Sequence, residues 1–142
     1  MRIVHFAEIL SGGPATYLNE LLPFQIREYE RVSVFHPSNQ STLIGDCGAQ
    51  LIPFDHLGRT AKGIAAMISQ WRQHLRHTQY DVIHLHSSFA GLVGRMHAQR
   101  NHSRIIYCPH GWAHGRRTGF AQRLLYRIAE RALASRTRHI IN

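Results

Sequence analysis

The sequence predicts an α/β domain, a parallel sheet with helices on both faces. Three observations predict it. Short apolar runs alternate along the chain with stretches of helical periodicity. The runs are nearly continuous rather than every-other-residue, as expected of strands covered on both faces. Glycine, serine and proline stand where runs end and helices begin, at Ser11-Gly12-Gly13-Pro14, Ser87-Ser88 and Pro109-His110-Gly111. At 142 residues the chain reads as one domain, 1–142, long enough for a real core.

Each element has its own justification. Arg2 to Phe6 is a first buried strand, broken by Ser11-Gly12-Gly13-Pro14. Pro14 suits the first turn of a helix, where a missing N–H costs nothing. Ala15 to about Arg27 carries Leu18, Leu21 and Leu22 at helical spacing, with a kink or an early end expected at Pro23. Arg31 to His36 is a second strand, stopped by Pro37-Ser38-Asn39. Gln40 to Cys47 is a connection or a short helix, and Ala49 to Phe54 a third, weaker strand. Ile64, Ile68, Trp71 and Leu75 then mark an amphipathic helix, with Arg72, His74, Arg76 and His77 off the stripe.

Tyr80 to His86 is the fourth strand, and Ser87 or Ser88 can cap the helix that follows it to about Gln99. That helix contains Gly91 and Gly94, each costing up to about 1 kcal/mol unless close packing on the sheet offsets it. Arg104 to Cys108 is the fifth strand, Thr118 to about Arg136 the last helix, and His139-Ile140-Ile141 opens a sixth strand. The whole is a Rossmann-like three-layer sheet, with crossovers expected to be right-handed.

Composition narrows the function. With 44 % hydrophobic and 18 % charged residues the chain is globular, not disordered. Seventeen basic residues, all arginine except Lys62, against eight acidic ones give a net charge of +9. Such a surface attracts nucleic acid, an anionic membrane or phosphorylated substrates. Cys47 and Cys108 suit a reducing compartment without a disulfide framework. The opening apolar run is too short for a signal peptide, and no window reaches a membrane span of about 18 residues.

In an open parallel sheet, ligands bind outside the carboxyl ends of the strands. Two loops fall there, Ser11-Gly12-Gly13-Pro14 and Pro109-His110-Gly111, and are expected to face one crevice. Gly12 and Gly13 offer free N–H groups at a helix N-terminus, which favours a phosphate or carboxylate or is simply a tight turn. The dinucleotide G-x-G-x-x-G and the G-x-x-x-x-G-K-[ST] loop are both absent. Pro109 and Gly111 fix His110, which is suited to a hydroxyl, a phosphate or acid–base chemistry. His84 and His86 share one face of their strand. With His110 and His114 they sketch a metal site, but neither cysteine nor carboxylate completes it, so no metal is expected. His84 is expected inside the sheet and His86 at its edge. Asp46, Asp55 and Asp81 are isolated, there is no D-x-D pair, and paired-carboxylate catalysis has no support. There is no G-x-S-x-G elbow, and Cys108 is expected in the core.

Five stretches, in order, resemble the N-terminal half of a family 4 retaining glycosyltransferase of the GT-B fold. They are Met1-Arg2-Ile3-Val4-His5, Gly12-Gly13-Pro14-Ala15-Thr16-Tyr17-Leu18, Asp81-Val82-Ile83-His84-Leu85-His86, Pro109-His110-Gly111 and Glu130-Arg131-Ala132-Leu133. The resemblance implies two Rossmann-like domains facing a cleft, this one holding the acceptor. Its glycine loop, Gly12 and Gly13, approaches the donor diphosphate, and His110 is the cleft histidine. His110 is thus the expected catalytic residue, and Gly12, Gly13, His86, Ser87 and Gly111 the expected substrate- and phosphate-binding set. The resemblance implies a nucleotide-sugar donor, no cofactor and no metal. It implies an acceptor that is a sugar or lipid-linked, and work on surface polysaccharide or lipopolysaccharide at the cytoplasmic membrane face. The family's C-terminal donor-binding domain, with its E-x7-E pair, has no counterpart in these residues. The expectation is one half of a GT-B enzyme, inactive alone and completed in cis or in trans.

Two other readings stand beside it. One is a non-catalytic acceptor-binding or membrane-docking subunit of a split enzyme. The other is a basic nucleic-acid-binding domain, which no aromatic–basic interleaving supports. Finally, Arg123, Arg127 and Arg131 step by four along the last helix, away from Phe120, Leu124, Leu125, Ile128 and Ala132. That stripe is either a solvated face or a dock for anionic lipid.

Overall fold

Strands β1 (Arg2–Ala7), β2 (Arg31–Pro37), β3 (Gln50–Phe54), β4 (Val82–His86), β5 (Arg104–Cys108) and β6 (His139–Ile140) pair in parallel, in the order β3-β2-β1-β4-β5-β6. The computed structural model describes residues 1–98, 104–110 and 120–141, without side chains at 120–123, 125 and 126. Helices α1 (Gly13–Glu28), α2 (Ala61–His77), α3 (Ser88–His97) and α4 (Phe120–Ala134) connect the strands, with a short 3-10 turn at Ser38–Leu43. The order reverses between β1 and β4, and a crevice opens at such a point in this class of sheet. Pro53 lies in β3, an edge strand, where a missing N–H costs no ladder bond on the open side.

The sheet has two unlike faces. Val4 and Phe6 of β1, Phe35 of β2, and Ile83 and Leu85 of β4 point to one face, against Met67, Trp71 and Leu75 of α2 and Ala90 and Val93 of α3. Phe6 stacks on Trp71 at 4.6 Å between ring centres. Each fully buried side chain of this kind stabilises by roughly 1.5–3 kcal/mol. The opposite face carries Ala7, Val32 and Val34, covered by Leu18 and Leu22 of α1. Alternation also places His5, His84 and His86 there.

Several expectations are corrected. Helix α1 does not end at Pro23 but runs on to Glu28. Buried Leu22 before the proline and Ile26 after it hold both halves on the sheet, outweighing a cost of about 3 kcal/mol. On α2 the buried line is Gly63, Met67, Trp71 and Leu75, with Ile64 and Ile68 at its margin. His74, off that line, stacks on Phe35 and bonds the Tyr80 hydroxyl at 2.8 Å. Asp81 accepts the Arg2 N–H at 2.6 Å and so ties β1 to β4.

The glycines of α3 do permit close packing. A methyl group on Gly91 would lie 2.3 Å from Tyr107, and one on Gly94 would lie 2.2 Å from Leu85. Arg95, 2 % exposed, then reaches α4: its Nη2 donates to Glu130 at 2.8 Å, and the Tyr107 hydroxyl donates to the same carboxylate at 3.0 Å.

Candidate functional site

The histidines converge where the strand order reverses. His5 of β1 is paired in register with His84 of β4, and Ala7 with His86. His110 follows the end of β5, beside β4. Its ring faces the glycine loop, since a Cβ on Gly13 would lie 3.8 Å from His110 Nδ1. His110 and the glycine loop therefore meet at the carboxyl ends of the strands.

Backbone strain gathers at the same place. Among the described residues only Ser87 (φ 84°) and His110 (φ 49°) have positive φ without being glycine. They end β4 and β5 at the mouth of the crevice, and such strain persists only where surrounding structure enforces it. Ser87 caps α3, its hydroxyl oxygen accepting from Ala90 N–H at 3.4 Å while its own N–H bonds Cys108 at 3.1 Å. Gly12 has φ 82°, which glycine adopts without penalty, and Pro14 follows in the first turn of α1. No side chain caps that helix and no acid lies in its first turn. Among the described residues the Gly12 and Gly13 amides have no hydrogen-bond partner. They are available to an anion.

The imidazoles form a hydrogen-bonded row. His5 Nε2 meets Gln25 Oε1 at 2.7 Å, His5 Nδ1 meets His86 Nε2 at 3.0 Å, and His86 Nδ1 meets His110 Nε2 at 3.0 Å. Tyr17 of α1 packs over it, with its ring centre 5.5–5.9 Å from those of His84, His86 and His110. Burial removes the row from water and disfavours charge. It pushes His5 down to about 4 and His84 to about 3. Burial, reinforced by His84, His5 and His110, holds His86 well below the usual histidine range, and burial lowers His110. At neutral pH all four rings are uncharged.

Two expectations about these residues change. His86 does not sit at the sheet edge: it is fully buried, with both ring nitrogens engaged, so it reaches a ligand only through His110. The cluster of possible metal ligands is His5, His84 and His86, whose ligand atoms lie within 4.8 Å of one another. The four ring nitrogens of His5 and His86 are already used in the row, so an ion would have to break it. His84 lies inside the sheet, as expected, and its Nε2 has no hydrogen-bond partner among the described residues. Cys108 is buried in the core, as expected.

His5, Gln25, Tyr17 and Glu8 are the residues that sequence reasoning missed. His5 carried a signal, a polar residue inside an apolar strand like His84. Glu8, fully buried just before the glycine loop, accepts from Arg59 Nε and Nη2 at 2.9 Å each and contacts His56 at 3.1 Å. The site expectation for Gly111, and the metal sketch at His114, lie outside the described residues.

On α4 the apolar and basic residues do not take opposite sides. Leu124, Arg127, Ile128 and Arg131 are all exposed, and their spacing of three and four puts them on one face. The side chain of Arg123 lies outside the described residues.

A parallel sheet of order 3-2-1-4-5-6, with a glycine loop and a strand-end histidine at its reversal point, defines a Rossmann-like domain. Residues 12–141 match the glycosyl transferase 4-like domain, and the chain belongs to that family. It is 33 % identical over 146 residues to an uncharacterized 41.2 kDa protein in the cps region of Klebsiella pneumoniae, covering 99 % of this chain and 39 % of that protein. The chain thus spans about two fifths of that curated relative's length.

Solved structures share the fold at low identity. Sucrose-phosphate synthase from Thermosynechococcus elongatus superposes with a TM-score of 0.75 at 13 % identity, over 99 % of this chain and 41 % of that one. Anabaena HepE in complex with UDP-glucose gives 0.65 at 18 %, over 96 % and 35 %. A UDP-N-acetylglucosamine 2-epimerase gives 0.64 at 10 %, over 98 % and 41 %.

Proposed function

We propose that this domain forms the acceptor-side wall of the cleft in a retaining glycosyltransferase that moves a sugar from a nucleotide-sugar to an acceptor. A donor-binding domain, in cis or in trans, forms the other wall. Family membership supports sugar transfer. The cps-region relative favours surface polysaccharide or lipopolysaccharide as the product class. The UDP-glucose held by HepE, a protein of the same fold, favours a nucleotide-sugar donor.

The observation that carries the reading is His110 Nδ1 facing the uncapped start of α1 across the crevice. The Gly12 and Gly13 N–H groups and the positive end of the helix stabilise diphosphate charge as it develops on the leaving group. This requires no metal. His110, neutral and held by His86, positions a hydroxyl of the reacting sugars. The chain alone holds only one of the two partners, so it is expected not to turn over any nucleotide-sugar.

The test joins this chain to a donor-binding domain and compares it with its His110→Ala form. The variant is expected to lower kcat by about ten- to a thousandfold. Near-wild-type turnover by a folded variant would return His110 to a structural role.

The same reading places the enzyme at the cytoplasmic face of the membrane, as a peripheral protein. The exposed face of α4 supports it, because exposed Leu124 and Ile128 lie beside Arg127 and Arg131. Apolar side chains beside arginines suit an anionic lipid surface, each arginine adding about 1 kcal/mol. No helix among the described residues is long and apolar enough to cross a membrane.

A further inference from the structure

We propose that Gln25, acting through His5 and His86, sets which nitrogen of His110 carries its proton, and so makes His110 a hydrogen-bond acceptor toward the crevice. The inference rests on reading His110 as the residue that meets the substrate.

The argument is one of donors and acceptors. An amide oxygen only accepts, so the 2.7 Å contact with Gln25 Oε1 requires a proton on His5 Nε2. His5 is fully buried and neutral, so its Nδ1 is then a bare lone pair. His86 must fill that lone pair by donating from Nε2 across 3.0 Å. A neutral His86 then has a bare Nδ1, and His110 must donate to it from Nε2, again across 3.0 Å. His110 is left with its proton pointing inward and a lone pair at Nδ1, the atom that faces Gly13. One amide orientation thus fixes three tautomers in series. Rotating the Gln25 amide by half a turn would present its N–H₂ to His5 and reverse every proton in the row.

The surroundings leave this order undisturbed. His84 touches His86 ring to ring, at 4.2 Å between centres, but makes no hydrogen bond to it. Tyr17 offers its ring rather than its hydroxyl to the row. Cys108, the other titratable neighbour, has its thiol pushed up by burial and stays neutral.

The chemical consequence is selective. A lone pair at His110 Nδ1 attracts a hydroxyl and repels a phosphate oxygen. His110 is therefore assigned to a sugar hydroxyl, and the phosphates to the Gly12–Gly13 amides. Gln25, His5 and His86 are positioning residues. The row also accounts for two polar residues, His5 and His86, buried on a face where aliphatic side chains would pack.

The test reads tautomers directly. In the ¹⁵N-labelled 142-residue chain at neutral pH, ring two-bond ¹H–¹⁵N correlations distinguish protonated from bare nitrogens. Wild type is expected to show His5, His86 and His110 all protonated at Nε2. Gln25→Glu keeps an acceptor and is expected to keep that pattern. Gln25→Lys offers only donors and is expected to move all three protons to Nδ1. Wild-type His110 protonated at Nδ1 overturns the proposal. So does a folded Gln25→Lys protein whose His110 is unchanged. If the lysine variant does not fold, Gln25→Leu removes the acceptor and is expected to leave His110 divided between its two tautomers; a folded Gln25→Leu protein whose His110 is unchanged overturns the proposal. No substrate is present, so the result is separate from whether the domain serves sugar transfer.

Discussion

Replacing His84 by leucine should make the protein more stable, and most of all in mild acid. His84 is 3 % exposed, and its Nε2 has no hydrogen-bond partner among the described residues. An unsatisfied polar atom of this kind costs about 1–3 kcal/mol, which leucine removes without orphaning a partner. A second contribution depends on pH. Burial, then the charges of His5 and His110, depresses His84 from 6.5 to about 3 in the folded state. The unfolded chain binds a proton that the folded chain refuses, so the native state loses ground as pH falls from 6.5 toward 3. Between 6.5 and 5 the loss is about 2 kcal/mol, at 1.36 kcal/mol per pH unit. The variant should therefore gain about 1–3 kcal/mol at pH 7.5 and about 2 kcal/mol more at pH 5. Urea unfolding followed by circular dichroism at pH 7.5, 6 and 5 measures both parts. A variant that gains nothing at pH 7.5, or whose stability falls with acid as steeply as wild type, refutes the reasoning.

Two further predictions concern α4. Glu130→Ala strips the partner from Arg95, whose side chain is 1 % exposed, and should cost about 3–5 kcal/mol in urea unfolding; a loss under 1 kcal/mol would mean that Arg95 finds water. Changing Arg123, Arg127 and Arg131 together to glutamine should abolish co-sedimentation with anionic vesicles and leave neutral vesicles unbound; equal binding by wild type and variant would remove this face as the dock.

The fold was legible because burial on both sides forces strands to be apolar runs, and the runs at Arg104–Cys108 and Tyr80–His86 stand out. Helix ends were legible through Gly12, Pro14 and Ser87, whose local geometry is needed wherever the chain goes. Pro23 misled because its local cost is overruled by Leu22 and Ile26 on the sheet, which only the packed structure shows. At the site, His110 and the glycine loop were legible from their own neighbours. The order of the row was not. It depends on β1 lying beside β4 and on α1 reaching back as far as Gln25, and both are contacts between residues distant in sequence. His86 differs for the same reason, since a strand's last residue looks exposed until Tyr17 of α1 and His110 after the neighbouring strand pack against it.

The unlike faces of the sheet divide the labour of substitution. Phe6, Phe35, Phe54 and Trp71 pack ring against ring, stacked, edge-on or tilted, without touching the histidine row. That side can absorb compensating or stabilising changes while the other keeps its chemistry. Stabilising substitutions commonly trade against activity where the same residues serve both. Here they lie on opposite sides of one layer of backbone. A library drawn on α2 and its strand contacts can therefore raise stability first, leaving a reserve with which the row around His5 and His86 can be varied.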